Sequence, residues 1–214
     1  MNNQTNKYYY KYLKFKNKYT NLKEIMMNQD VWIINDFFDS NKFNKIHDFS
    51  KGLLDQLKSD DRINSRKTLC LHPKKYKIIY DLIYDDERFK NYINLISKNK
   101  FKNRPSFPIE LRLYPTGSKG MEWHKDTSLF KPDCFEIVLT LENTSDSKFL
   151  YSDKSIHTNK NMLTIVKPNS ILHKVTPINK GERLILKFVV EFLDDNNNNI
   201  KKPTYYDEIK KCPF

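Results

Sequence analysis

Glycine is scarce in this chain, with 4 in 214 residues, and cysteine is scarcer still, with 3. Cys70, Cys134 and Cys212 are too few and too scattered for a disulfide framework or a thiolate zinc site. They fit a reducing compartment. No apolar run reaches the roughly 18 residues of a membrane helix, so a helical membrane span is not expected. The opening Met1-Asn2-Asn3-Gln4 lacks the apolar stretch of a secretory signal, so a cytoplasmic or nuclear protein is expected. The chain has no internal repeat and no composition break that would mark a linker between two domains.

What the chain does have is lysine and asparagine. The formal net charge is +12, from 38 Lys and Arg against 26 Asp and Glu. Residues 1–104 carry 22 basic against 12 acidic residues, whereas residues 105–195 carry 12 of each. The excess therefore belongs to the first half, where nucleic acid, an anionic surface or an acidic protein could be attracted. A lysine-rich solvated face is the simpler account.

Tyr8, Tyr12, Phe15, Tyr19, Leu22 and Met26 recur at alternating spacings of four and three, with lysines between them. That pattern predicts an amphipathic helix packing an aromatic stripe on the domain. The same interleaving would suit stacking on single-stranded bases. Val31–Ile34 reads as a strand. Asp39 or Ser40 can cap a helix running to about Lys58, and residues 74–84 and 86–99 read as helices. From Pro105 the period changes to two. Ile109–Tyr114, Cys134–Leu141, Lys148–Tyr151, Met162–Val166, Ile171–Val175 and Arg183–Phe192 read as strands separated by turn residues. Helices first and short strands afterwards predict an α+β domain, an antiparallel barrel or jelly roll braced by N-terminal helices. We place one domain at 1–195, with helical support at 1–104 and the jelly-roll core at 105–195, followed by a loose tail at 196–214.

The chemistry lies in the second half. His124-Lys125-Asp126 is an H-x-D triplet, and residues i and i+2 of an extended segment point the same way. His173 lies near the end of a strand pair. Two imidazoles and one carboxylate on one face of an ion form the facial triad of non-haem iron oxygenases, with the opposite positions open. Arg183 begins the last long strand and could clamp a carboxylate with its guanidinium. Tyr114 precedes His124 by ten residues and could donate its hydroxyl to the same group. Three of the four glycines, Gly117, Gly120 and Gly181, fall in the loops leading to these residues. If Arg183 faces the barrel interior, alternation turns Lys187 inward too, toward substrate or the rim. Arg112 shares a face with Tyr114 and lines either the pocket or a surface pair. Trp123 reads as barrel packing, with a substrate platform as the alternative. His47, His72 and His157 sit in a helix, a turn and a polar loop, and carry little weight.

The segment Tyr114-Pro115-Thr116-Gly117 through Trp123-His124-Lys125-Asp126 resembles the Tyr…Gly…His-x-Asp segment of the 2-oxoglutarate- and Fe(II)-dependent dioxygenases. Leu172-His173-Lys174-Val175 through Gly181-Glu182-Arg183 is similar to their distal His-x-Val segment and following basic residue. The flavour is that of the prolyl and lysyl hydroxylases, and Arg183 leans toward the lysyl and oxygen-sensing branches. The resemblance implies a double-stranded β-helix with His124, Asp126 and His173 as catalytic iron ligands. It implies Arg183, helped by Tyr114, as the anchor for 2-oxoglutarate, and ascorbate as an accessory reductant. It also implies hydroxylation of a protein or peptide side chain, prolyl or lysyl, with release of succinate and carbon dioxide. The alternatives are an oxidative demethylase of nucleic-acid bases, drawn by the basic first half, and a jelly-roll binding module without turnover. Against the demethylase, Val189 stands where the DNA-repair type places a second arginine.

Overall fold

A computed structural model describes residues 26–59 and 65–212, together with Lys14 and Lys16. The aromatic positions of the expected stripe from Tyr8 to Tyr19, and Leu22, lie outside the described residues. The helices fall mostly in the first half and the strands in the second, with three early strands and a late helix.

β1 (Val31–Ile34) leads into α1 (Ser40–Lys51). The Asp39 side chain caps α1 by accepting from the Lys42 N–H, and Phe43 and Ile46 form its buried stripe. The expected continuation to Lys58 fails at Gly52. A 3₁₀ turn over Leu54–Gln56 and the two-residue strand β2 (Lys58–Ser59) follow instead. β3 (Lys67–Leu71) precedes α2 (Lys77–Tyr84) and α3 (Glu87–Ile96), the latter capped by Asp86. The remaining strands are β4 (Ile109–Tyr114), β5 (Phe130–Lys131), β6 (Phe135–Asn143), β7 (Phe149–Tyr151), β8 (Lys154–Ile156), β9 (Leu163–Val166), β10 (His173–Val175), β11 (Arg183–Val190) and β12 (Ile200–Lys201).

These strands build an antiparallel seven-stranded sheet, ordered β1-β9-β6-β11-β4-β3-β2, and a three-stranded sheet, ordered β10-β7-β8. The larger sheet has two unlike faces because its strands alternate strictly. Leu111, Ile137, Leu139, Leu163, Leu184, Leu186 and Phe188 point outward and join Phe43, Ile46, Ile83, Tyr84 and Phe89 of the helices in the main core. The opposite face of the same strands carries Glu110, Arg112, Tyr114, Glu136, Arg183 and Lys187 and fronts a cavity closed by the smaller sheet.

The region expected to be a loose tail is ordered. β12 pairs with β5, and α4 (Pro203–Lys210) starts on a proline suited to the first helical position. Tyr205 of α4 is buried against Phe107 and Phe130. Cys212 is disulfide-bonded to Cys70 across a sequence separation of 142. This corrects the expectation drawn from cysteine spacing: residues far apart in the chain become neighbours where the segment just after α4 meets β3. Cys134 is a buried free thiol, as expected for a strand opening into the core.

Candidate active site

Backbone pairing brings the two histidines together. His124 and His173 form an isolated antiparallel bridge, each N–H donating to the other's carbonyl at 3.0 and 2.9 Å. Their rings lie 4.4 Å apart. The loop before His124 is fastened to the strand after His173, with Met121 N–H donating to the Val175 carbonyl and Gly117 N–H to the Ile178 carbonyl. Gly120 (φ +75°) permits this closeness, because a Cβ there would collide with the backbone of Val175–Pro177. Asp126 follows two residues after His124, and its carbonyl accepts from the Asn169 N–H.

The side chains converge as the pairing dictates. Asp126 Oδ1 lies 3.6 Å from His124 Nε2, and Asp126 Oδ2 lies 3.4 Å from His173 Nε2. One ligand atom from each of the three residues fits within 4.8 Å of the others, close enough to share one cation. Each imidazole turns its Nδ1 toward a backbone carbonyl two residues earlier, Glu122 for His124 at 2.7 Å and Ile171 for His173 at 3.2 Å. These carbonyl contacts leave both Nε2 atoms turned toward Asp126. This is the outer-shell arrangement that orients metal-binding imidazoles. Burial alone would raise the Asp126 carboxyl, but the hydrogen bonds with both imidazoles outweigh it and hold Asp126 ionised. The hydrogen bond with Asp126 raises His124.

Arg183 and Tyr114 sit directly opposite one another on β11 and β4. The Arg183 guanidinium lies 4.9 Å from the Tyr114 ring centre, and both line the same cavity of about 90 Å³ as the His–Asp–His cluster. Burial lowers Arg183, a charge only 5% exposed, and its Nε has no acceptor among the described residues. A buried guanidinium with an unused donor calls for an anion. Burial would raise the Tyr114 phenol, yet the Arg112, Arg66 and Arg183 guanidiniums bring it down to about 7.

Two residues left open by the sequence are resolved. Lys187 lines the cavity and pairs with Glu136 at 2.5 Å. Arg112 also lines it, paired with the buried Glu110. Glu110 and Glu136 were missed by sequence reasoning, although each occupies an inward position in an alternating strand. Trp123 corrects the packing expectation. It is 46% exposed, with the Lys174 ammonium 5.1 Å from its ring centre, at the rim beside His124. His47 lies on the outer side of the sheet and bonds Glu142 at 2.7 Å.

Strand β10 and the loop carrying His124 and Asp126 thus bring a three-residue ligand set together at one cavity, with an unsatisfied guanidinium from β11 in its wall, and the same frame recurs in solved structures. An oxidoreductase of the 2OG-Fe(II) oxygenase family from Burkholderia pseudomallei superposes with a TM-score of 0.61 at 11% identity, covering 81% of this chain and 89% of that one. The chain has the 2-oxoglutarate/Fe(II) oxygenase fold. A prolyl hydroxylase from Trichoplax adhaerens, solved with a hypoxia inducible factor peptide fragment, matches this oxygenase fold at 0.61 and 15% identity, over 82% of this chain and 91% of that one. The epimerase SnoN of nogalamycin biosynthesis matches at 0.68 and 10% identity, over 92% and 88%. SnoN is also known in complex with Fe3+, alpha ketoglutarate and nogalamycin RO, where the match is 0.66 at 10% identity over 88% of each chain. No family model matches the sequence, and no curated protein is significantly similar to it.

Proposed function

We propose that this protein is an Fe(II)- and 2-oxoglutarate-dependent oxygenase that hydroxylates a side chain of a protein or peptide, prolyl or lysyl in keeping with the resemblance. The convergence of His124, Asp126 and His173 beside a buried Arg183 with an unused donor carries this reading. Two neutral imidazole nitrogens and one carboxylate oxygen suit a ferrous ion and leave positions free for other ligands. His124, Asp126 and His173 would hold the metal, and Arg183 and Tyr114 would take the far carboxylate of 2-oxoglutarate. An Fe(II) bound there, with 2-oxoglutarate and dioxygen, supplies the chemistry that releases succinate and carbon dioxide and places a hydroxyl on a C–H bond.

The remaining work belongs to the chain. The carbonyls of Glu122 and Ile171 fix both imidazole tautomers. Arg183, across the strand pair from Tyr114, orients the co-substrate by a charge-assisted bond and keeps it from rotating. The two facing sheets, read as a double-stranded β-helix, enclose the cavity from two sides. Trp123 and Leu172, exposed beside the two histidines, offer an apolar rim for a peptide. The peptide bound by the Trichoplax neighbour supports this choice of partner.

The test is succinate formation from 2-oxoglutarate with Fe(II) and a peptide library, read beside mass spectrometry for addition of one oxygen atom. Wild-type protein should bind one Fe(II) and turn over, and His124→Ala should do neither. Equal metal binding and turnover by the two proteins would overturn the reading.

A further inference from the structure

The row of residues that carries the co-substrate anchor does not stop at Tyr114. Arg183 of β11 faces Tyr114 of β4. On the other side of β4, Lys67 pairs with Leu113 and Thr68 with Arg112. One more step of that register sets Arg66, the residue before β3, beside Tyr114. Arg66 lies outside the segments that carry the resemblance and escaped the sequence reading. It is 3% exposed. Its Nη1 lies 3.5 Å from the Tyr114 oxygen, and its guanidinium carbon lies 5.8 Å from the ring centre. Arg112, two residues along β4 on the same face, brings its own Nη1 to 3.5 Å from the same oxygen.

Two donors therefore converge on one phenol oxygen. At this length the attraction is mostly that of charge for the phenol dipole. A guanidinium carries only donors, so none of the three arginines around Tyr114 can take the phenol proton. The apolar residues packed with Tyr114, Val138, Ile178 and Ile185, cannot take it either. Glu110, four residues back on β4, is paired with Arg112. The cavity, which Tyr114 lines, is the side left for the O–H. Burial raises the phenol, and the charges of Arg112, Arg66 and Arg183, with the hydrogen bond from Arg66, bring it down to about 7. A phenol polarised in this way is a strong donor to a carboxylate.

We propose that Arg66 is a positioning residue for the co-substrate, acting through Tyr114. With Arg112 it fills the acceptor side of the phenol oxygen and turns the O–H into the cavity, toward the far carboxylate of 2-oxoglutarate. Arg66 works from the β3 side of Tyr114, while Arg183 meets the carboxylate from the β11 side. The assignment deepens the oxygenase reading above and rests on it.

A double-mutant cycle tests it. Calorimetric titration of 2-oxoglutarate into Zn(II)-loaded protein at about pH 6 compares wild type, Arg66→Gln, Tyr114→Phe and the double variant. At that pH the phenol keeps its proton, so the cycle reads orientation and not ionisation. Arg66→Gln should weaken 2-oxoglutarate about five- to twentyfold while Zn(II) affinity changes less than about twofold. In the Tyr114→Phe background the same substitution should change 2-oxoglutarate affinity less than about twofold. The tyrosinate midpoint of Arg66→Gln should lie about one pH unit or more above that of wild type, a shift that a merely structural role would not produce. Arg66→Lys keeps the charge without the planar fork, so it should lose less, and its loss should likewise vanish beside Tyr114→Phe. That variant decides the matter if Arg66→Gln does not fold. Equal losses in the two backgrounds would overturn the proposal, as would undiminished 2-oxoglutarate affinity or an unmoved midpoint in a folded Arg66→Gln. Failure of the wild type to bind 2-oxoglutarate would instead overturn the oxygenase reading itself.

Discussion

Tyr114 shows how a single residue is governed by its surroundings. A phenol buried in apolar protein resists ionisation, but three guanidiniums around this one reverse the balance and set it near 7. A spectroscopic titration of the tyrosinate should therefore show one phenol with a midpoint about 7. The Tyr114→Phe variant should lack it. Adding 2-oxoglutarate should move the midpoint upward, because a carboxylate beside the ring opposes a second negative charge. The linkage has a definite sign. The folded value lies below the ordinary value of 10.0, so the unfolded chain holds this proton more tightly. Stability should rise as pH climbs from about 7 toward 10, by an amount on the order of a few kcal/mol. Denaturant melts of wild type and Tyr114→Phe across that window would measure it. Arg183 makes a simpler prediction. Replacing it with Met removes one charge-assisted contact, so 2-oxoglutarate affinity should fall tenfold to a hundredfold in a direct binding measurement.

At the scale of elements, the loop from Pro115 to Trp123 is held against residues 175–178 by backbone bonds with no room for a side chain at Gly120. Gly120→Ala should separate the two segments, weaken metal binding at His124 and cost about 2 kcal/mol or more in a thermal melt. Gly117 also has a positive φ but open space around it, so Gly117→Ala should cost less in the same melt. The meeting of the His–x–Asp triplet with His173, and of Tyr114 with Arg183, was legible because the proposed roles call for fixed residue types at set spacings. The inward turn of Lys187 followed from period-two alternation alone. Glu110 and Glu136 were overlooked because an isolated acid in a strand also suits a solvent face, and only the curvature of the sheet decides between them. The helix after Asp39 was read too long because Phe49, Leu53 and Leu57 extend the apolar stripe past Gly52, where the backbone leaves the helix. α4 escaped notice because its eight residues bury a single tyrosine, too little for a period to show.

For the molecule as a whole, the Cys70–Cys212 bond ties the C-terminal segment to β3 and so helps hold α4, whose Tyr205 packs on Phe107 and Phe130. Closing a loop of this length restricts the unfolded chain, and Cys212→Ser should lower stability by about 2–5 kcal/mol under oxidising conditions. The difference between variant and wild type should vanish in excess reductant, as a pair of denaturation curves would show.

The larger sheet is oily on one flank and ionic on the other. A pairing error of one residue in β4 or β11 would drive Glu110, Arg112 and Lys187 under the helices and swing Leu111 and Leu186 toward the cavity. Misaligned chains are thereby penalised twice over, so the charges that line the cavity also proofread the assembly of the strands that carry them.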